Sequence, residues 1–110
     1  MNIQIFGKSK CFDTKKAERY FKERNVKFQN IDLARYGMSP RELESVIACV
    51  GLEKLIDPKA RGADVLKYLA FDQDKVQKLL EDPTLIKTPI VRNGKKATVG
   101  FCPDVWKTWE

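Results

Sequence analysis

A single cysteine lies between a short apolar stretch and a segment with helical periodicity. Residues 2–6 alternate polar and apolar side chains, which predicts a strand that Gly7 breaks. Cys11 follows a short loop, and an amphipathic helix is predicted from Phe12 or Asp13 to residue 25. The unpaired N–H groups and the dipole of a helix start favour an anion. We therefore expect Cys11 to have a lowered pKa and to react as a thiolate nucleophile.

Polar residues close to Cys11 in the sequence have two interpretations. Thr14 is placed to donate a hydrogen bond to the sulfur, or it is an ordinary residue of the first helical turn. The surrounding lysines either make the site positive or form a solvated face, and those on the helix are the better candidates for local charge. These lysines are Lys8, Lys10, Lys15 and Lys16.

The remaining cysteines and the absence of histidine limit the chemistry. Three widely spaced cysteines do not form a disulfide framework, and they favour a reducing, cytoplasmic location. Cys49 flanks an apolar helical face and is expected to be inert. Cys102 is either a resolving thiol or a substitute for a helix N-cap residue, and the second interpretation is favoured. Without histidine, imidazole metal sites and Cys-His mechanisms are excluded, and we expect no metal.

Length and composition indicate one globular domain over residues 1–110. The chain is 43% hydrophobic and 33% charged, with a net charge of +6. No apolar run approaches the roughly 20 residues that cross a membrane, and residues 1–6 do not have the pattern of a secretory signal. Lysines and acids are mixed along the chain, without a basic block or a zinc-finger spacing, so nucleic acid is not an expected partner.

The elements after the first helix complete a mixed α/β pattern. Val26–Leu33 is predicted as a second strand, parallel to the first because a helix joins them. A helical insert is expected over about 39–82. It begins with a capping box at Ser39 and includes an irregular segment over Leu52–Ala60. Its later helices are predicted over Gly62–Ala70, with Val65 buried, and from about Asp74 to Glu81.

A hairpin and a last helix follow the insert. Ile90–Arg92 and Lys96–Phe101 are predicted strands joined by an Asn93-Gly94 turn. The last helix opens at residue 102 and is expected to bury three apolar side chains, Val105, Trp106 and Trp109. The order β-α-β, helical lobe, β-β-α, with a cysteine at the first helix start, predicts an α/β thioredoxin-like fold with a mixed central sheet.

Landmarks along almost the whole chain resemble those of the ArsC/Spx family, which includes glutaredoxin-coupled arsenate reductases and the Spx transcription regulators. They are Cys11 followed by Thr14-Lys15-Lys16-Ala17, Ile31-Asp32-Leu33, Leu55-Ile56, Arg61-Gly62, and Lys87-Thr88-Pro89-Ile90-Val91. The resemblance implies that Cys11 is the redox cysteine and that Pro89 is held cis beside it. Thr14 stands where Spx-type members have the second cysteine of a C-x-x-C motif.

The departures from the family pattern bear on the substrate. Arsenate reductases of this family hold the oxyanion with three arginines, and the matching positions here are Asp57, Thr88 and Phe101. An aspartate would repel an oxyanion, which makes arsenate a doubtful substrate. Residues that could bind an anion in place of the arginines are Lys8, Lys10, Arg61 and Arg92.

Two functions follow from the residues and the resemblance. The first is an arsenate reductase-like thiol oxidoreductase in which Cys11 attacks an oxidised substrate. Glutathione with glutaredoxin, or Cys102, would then resolve the adduct, with glutathione as a co-substrate and no bound cofactor. The second is a Spx-like adaptor without turnover, which binds RNA polymerase or another protein.

Overall fold

The structure is a computed structural model, and it describes residues 1–109. The strands are β1 Ile3–Gly7, β2 Phe28–Asp32, β3 Ile90–Asn93 and β4 Lys96–Val99. They form one sheet in the order β2-β1-β3-β4. β1 and β2 are parallel, and β3 is antiparallel to both β1 and β4. The predicted mixed sheet and the parallel pairing of the first two strands are confirmed.

Helices cover the sheet and form the insert. Their bounds are α1 Phe12–Glu23, α2 Leu33–Tyr36, α3 Pro40–Val50, α4 Leu52–Leu55, α5 Ala63–Leu66, α6 Asp72–Glu81 and α7 Pro103–Lys107, with a 3-10 turn at Pro83–Leu85. The chain therefore runs β-α-β, through a helical lobe of α3 to α6, and then β-β-α, which is a thioredoxin-like arrangement. Among the described residues, no helix combines the length and the apolar character that a membrane crossing requires.

Apolar side chains are buried on both faces of the sheet, because successive residues of a strand point to opposite faces. The cluster under α1 and α7 comprises Ile3, Ile5, Ala17, Tyr20, Phe21, Val91 and Trp106. On the opposite face, Phe6 and Ile90 pack against the helical lobe, which contributes Leu43, Val46, Leu55, Leu66 and Leu79. Helices therefore cover β1 on both faces, and the loop that carries Cys11 leaves from its end.

The predicted capping box at the start of α3 is confirmed. The Ser39 hydroxyl accepts the N–H of Glu42 at 3.1 Å, and the Glu42 carboxylate accepts the N–H of Ser39 at 2.9 Å. Pro40 occupies the first helical turn, and the helix ends at Gly51, whose φ is +88°. These local contacts fix where the helical lobe begins.

We expect Ser39→Ala to lower the free energy of unfolding by about 1 kcal/mol, because it leaves a helix N–H without its acceptor. A urea titration should show a lower midpoint with an unchanged slope. Ser45→Ala, within the same helix and away from its start, is the control and should not destabilise the protein. Equal midpoints for the Ser39 variant and the wild type would contradict the role of the capping box.

Several predicted boundaries are wrong by a few residues. α1 ends at Glu23, two residues early, and Asn25 beyond it has a left-handed φ of +57°. β2 begins at Phe28 rather than at residue 26, and β4 ends at Val99. The segment 52–60 was expected to be irregular, but its first four residues form α4.

Two predicted turns are also shifted along the chain. The first strand includes Gly7, where Thr14 packs so closely that a Cβ would overlap its side chain. The hairpin pairs Asn93 with Lys96, so the central turn residues are 94 and 95, one position later than predicted. Gly94 supplies the left-handed φ of +61° that this turn needs.

Two valines predicted to be buried are exposed. Val65 is 55% exposed because α5 is a single turn whose buried positions are Ala63 and Leu66, three residues apart. Val105 is 44% exposed, since the short α7 buries Trp106 instead. Short helices bury fewer positions than the longer amphipathic helices expected from the sequence.

Candidate active site

Cys11 lies at the N-cap position of α1. The loop from β1 closes with a hydrogen bond from the Cys11 N–H to the Lys8 carbonyl at 3.1 Å. The backbone of Cys11 is extended, with φ −89° and ψ 117°, and its carbonyl accepts the N–H of Lys15. The side chain is partly exposed to solvent. The predicted position of the thiol at the helix start is confirmed.

The Thr88–Pro89 segment meets Cys11 across the end of the sheet. Phe6 of β1 pairs with Ile90 of β3, which brings the residues before β3 beside the loop after β1. The Thr88–Pro89 peptide bond is cis, and the Cys11 thiol lies 3.6 Å from the Thr88 carbonyl oxygen. The cis proline expected beside the cysteine is therefore present.

Hydrogen bonding lowers the pKa of Cys11. Partial burial raises the pKa of this thiol, but hydrogen bonds from the side chains of Thr14 and Thr88 stabilise the thiolate. The N–H groups of Thr14 and Asp13, in the first turn of α1, contribute in the same direction. The pKa of Cys11 is lowered overall, and these hydrogen bonds are the cause. The thiolate is the nucleophilic form, so this environment favours reaction.

Thr14 connects the cysteine loop to the strand. Its side chain is buried, packs on Gly7, and accepts the N–H of Lys8 at 3.4 Å. The same hydroxyl stabilises the Cys11 thiolate. Of the two interpretations of Thr14 from the sequence, the structure favours the hydrogen-bonding one.

Thr14→Val should raise the pKa of Cys11, because a methyl group replaces the hydroxyl donor. At a pH below the pKa of Cys11, we expect the alkylation rate of Cys11 to fall roughly fivefold, since a hydrogen bond contributes about 1 kcal/mol. Iodoacetamide kinetics followed by mass spectrometry of the Cys11 peptide would measure the change. Thr14→Ser retains a hydroxyl and should keep most of the wild-type rate. Equal rates for the valine variant and the wild type would show that Thr14 does not activate the thiol.

A cavity of about 300 Å³ opens beside Cys11 and Thr88. Its other lining residues are Asp13, Asp57, Pro58, Lys59 and Lys87. Lys59 and Lys87 were not among the site residues predicted from the sequence. The available signal was their position in the sequence, since Lys59 lies two residues after Asp57 and Lys87 belongs to the landmark that contains Thr88-Pro89. The cavity combines a nucleophile with both basic and acidic side chains.

The lysines predicted to bind an anion or to make the site positive lie at different positions around Cys11. Lys8 lies 3.7 Å from the Asp57 carboxylate and donates to the Thr84 carbonyl at 2.8 Å. Lys15 lines a neighbouring cavity of about 170 Å³ together with Lys8 and Thr14. Lys10 is exposed in the loop before Cys11. None of these three lysines lines the cavity that contains the sulfur.

The structure does not bring the two candidate arginines to Cys11. Arg92 donates to the Gln4 side chain at 2.8 Å and lies 3.6 Å from the Glu42 carboxylate. Since β3 starts near Cys11 and runs away from it, Arg92 lies toward the far end of the sheet. Arg61 is exposed in the loop before α5 and does not line the Cys11 cavity.

Two of the three positions where the family's arsenate reductases have arginine lie in the cavity. Asp57 and Thr88 line it, whereas Phe101 packs edge-on against Trp106 with Lys16 5.9 Å above its ring. The cavity lining contains no arginine. By the resemblance, the Asp57 carboxylate in this cavity stands where an arginine is expected in arsenate reductases.

The other two cysteines differ from Cys11. Cys102 occupies the N-cap position before α7, as the favoured interpretation expects, but its side chain makes no capping hydrogen bond, and its thiol lies 3.3 Å from the Val99 carbonyl. Partial burial raises the pKa of Cys102, and the negative charge of Asp13 raises it further. A hydrogen bond from Thr98 lowers this pKa but does not offset the increase. Cys49 is exposed, and its thiol hydrogen-bonds to the Lys95 carbonyl; that it is inert stays a prediction. All three are free thiols.

A larger cavity of about 610 Å³ lies between β2 and the start of α3. It is lined by Phe6, Gln29, Asn30, Ile31, Tyr36, Gly37, Met38, Ser39 and Glu42. It contains no cysteine, and its one acidic side chain, Glu42, takes part in the capping box and faces Arg92. The chemistry of the described residues therefore centres on the smaller cavity.

Comparison with known proteins places the chain in a family. The global transcriptional regulator Spx 2 of Oceanobacillus iheyensis is 29% identical over 94% of this chain and 80% of its own length. An ArsC family related protein from Bacteroides fragilis has a similar structure, with a TM-score of 0.85 at 21% identity over 100% of this chain and 98% of its own. An arsenate reductase from Vibrio cholerae has a TM-score of 0.83 at 22% identity over 96% and 94% of the two chains. The sequence model of the ArsC family matches residues 6–109, so the chain belongs to the ArsC family.

Proposed function

We propose that this protein is a thiol–disulfide oxidoreductase whose nucleophile is Cys11. The observation that carries the proposal is the position of the Cys11 sulfur at the start of α1, 3.6 Å from the Thr88 carbonyl oxygen and with a lowered pKa. A partly exposed thiol with these hydrogen bonds has the properties of a reactive cysteine rather than of a packing residue.

The reaction proposed is two successive thiol–disulfide exchanges. The Cys11 thiolate attacks one sulfur of a disulfide, forms a mixed disulfide with that half, and releases the other half as a thiolate. A second thiolate then attacks the substrate sulfur of the mixed disulfide. The substrate half leaves as a new disulfide with this second thiol, and the electron pair of the broken bond returns to Cys11. After these two exchanges, one substrate half is a free thiolate and the other is in a disulfide with the external thiol. A second external thiolate attacks the external sulfur of that disulfide, releases the remaining substrate half as a thiolate and forms the external disulfide. Overall the substrate disulfide gains two electrons, which two external thiols supply.

The charges in the cavity favour an oxidised sulfur substrate over arsenate. Family membership brings arsenate reduction into consideration. However, the cavity combines Lys59 and Lys87 with Asp13 and Asp57, so its formal charges cancel. Holding an arsenate dianion beside the Asp57 carboxylate would add repulsion where a bidentate arginine would add attraction.

The second thiol is proposed to come from outside the chain. Glutathione, alone or with glutaredoxin, fits this role by its chemistry. Cys102 is less suited because its raised pKa keeps it largely protonated at neutral pH, and the thiol form attacks disulfides poorly.

The proposal is tested by incubating the reduced protein with glutathione disulfide and mapping adducts by mass spectrometry. A glutathionyl adduct should form first on Cys11. Cys49→Ser is the background variant, since the exposed Cys49 would otherwise add unrelated adducts. Adducts on Cys49 or Cys102 with none on Cys11 would exclude this function.

A second candidate function is a Spx-like adaptor that binds RNA polymerase or another protein without turnover. The similarity to the regulator from Oceanobacillus iheyensis over 94% of the chain supports this alternative, as does Thr14 in place of a second cysteine. A pull-down from a reducing lysate with wild type and Cys11→Ser separates the two. A partner retained equally by both proteins favours an adaptor, whereas trapped mixed disulfides that the variant loses favour an oxidoreductase.

A further inference from the structure

The cavity beside Cys11 contains charged groups of both signs within a small volume. At about 300 Å³ it lies at the small end of ligand-binding cavities. Asp13 and Asp57 line it together with Lys59 and Lys87. An oxyanion or a polycation would meet like charges in such a cavity. A ligand that carries one positive and one negative group could place each group beside side chains of the opposite charge.

The Asp57 carboxylate is held in place by its own loop. One oxygen accepts the N–H of Lys59 at 2.9 Å, and the other faces the Lys8 ammonium at 3.7 Å. The Asp57 side chain is 26% exposed. A carboxylate offers about four acceptor positions, so these two contacts leave capacity for a donor in the cavity. Asp57 is thus pre-oriented to accept a ligand's ammonium group.

The two lysines of the cavity are available to an anionic group. Both Lys59 and Lys87 are exposed. Within residues 1–109, neither ammonium forms an ion pair, whereas Lys8 and Lys16 face Asp57 and Asp13 respectively. Lysine ammonium groups without a protein partner can pair with a ligand carboxylate without breaking an existing contact.

We propose that the preferred substrate of Cys11 is a small zwitterionic disulfide of the cystine type. Asp57 recognises the ammonium group beside the substrate sulfur, and Lys59 and Lys87 recognise the carboxylate. This assignment rests on the thiol–disulfide exchange proposed above and specifies its substrate class. In the first step, the Cys11 thiolate bonds to one sulfur of cystine, and the other half leaves as free cysteine thiolate.

Four small disulfides of different charge test the proposal. They are cystine, which is zwitterionic; cystamine, which is cationic; 3,3′-dithiodipropionate, which is anionic; and 2-hydroxyethyl disulfide, which is neutral. The rate of mixed-disulfide formation on Cys11 is measured for each with the full-length protein in the Cys49→Ser background. Each rate is divided by the rate of the same disulfide with a free small thiol, because disulfides with more acidic leaving thiols react faster with any thiolate. On this normalised scale cystine should react about three- to tenfold faster than any of the other three, because charge-assisted contacts at a partly exposed site are of modest strength.

Charge-neutral variants then locate the recognition. Asp57→Asn retains an oxygen that can accept the Lys59 N–H. This variant should lower the ratio of the cystine rate to the 2-hydroxyethyl disulfide rate toward the ratio that a free small thiol shows. The double variant Lys59→Gln/Lys87→Gln should lower the same ratio. Because each ratio compares two disulfides on one variant, a changed thiolate fraction cancels. Matched controls are Asp74→Asn and Lys54→Gln, which lie on the helical lobe and outside the cavity lining.

The outcomes separate this inference from the function on which it rests. Equal normalised rates for cystine and the neutral disulfide, with adducts on Cys11, would overturn the substrate class and leave the oxidoreductase function intact. The same is true if Asp57→Asn and the lysine double variant keep the wild-type ratio. Absence of a Cys11 adduct with all four disulfides would instead refute the oxidoreductase function itself.

Discussion

Cys11→Ser should abolish the reduction of disulfides by this protein, with a loss of about two orders of magnitude or more. A serine hydroxyl does not ionise near neutral pH and forms no stable bond with a disulfide sulfur. The measurement is the disulfide-reduction rate with glutathione and glutaredoxin present, corrected for the reaction without the protein. Cys49→Ser and Cys102→Ser are the matched controls.

The controls make this experiment discriminating. Cys49 lies on α3 and hydrogen-bonds to the hairpin turn, away from the cavity, so its removal should leave the rate unchanged. Cys102→Ser should retain turnover if the second thiol comes from outside the chain. Activity that persists in Cys11→Ser would exclude this residue as the nucleophile. Activity lost in both Cys11→Ser and Cys102→Ser would show that an internal thiol resolves the adduct.

Trp106→Ala should have the largest effect on stability, lowering the free energy of unfolding by about 3–5 kcal/mol. Trp106 is 0% exposed and packs edge-on against Tyr20 and Phe101. Its indole N–H donates to the Thr98 hydroxyl at 2.8 Å. The variant would therefore leave a cavity under α1 and remove one hydrogen-bond donor from the Thr98 hydroxyl.

Urea unfolding monitored by far-UV circular dichroism measures this effect. Trp109→Ala is the matched control, because Trp109 is only partly buried at the edge of the same cluster and should cost less. The loss expected for Trp106 is a large fraction of the 5–15 kcal/mol typical of a domain. A smaller loss for Trp106→Ala than for Trp109→Ala would contradict the core described above.

Local sequence signals predicted the elements that position the nucleophile. The apolar alternation before Cys11 and the amphipathic pattern after it defined a strand, a loop and a helix start, and the capping box at Ser39 marked the helical lobe. These features depend on neighbouring residues, so they can be identified without knowing the tertiary structure. The cis Thr88–Pro89 bond was expected from the family resemblance rather than from local signals.

The charges around the sulfur could not be predicted in the same way. Lys59 and Lys87 reach the cavity because the loop after α4 and the segment before β3 meet, through a hydrogen bond from the Asp57 N–H to the Leu85 carbonyl. Arg92 was a candidate from its type alone, yet the register of β3 directs it to Gln4 and Glu42. Long-range register and loop contacts, rather than residue type, decide which charges surround Cys11.

The pH dependence of Cys11 alkylation tests the central claim most directly. The rate of iodoacetamide labelling at the Cys11 peptide is followed across the pH range in the Cys49→Ser background, where it rises with the thiolate fraction. An activated Cys11 predicts a midpoint below the value of about 8.5 that a free cysteine shows, with Cys102 titrating above Cys11 in the same sample. A Cys11 midpoint at or above the free value would contradict the proposed nucleophile.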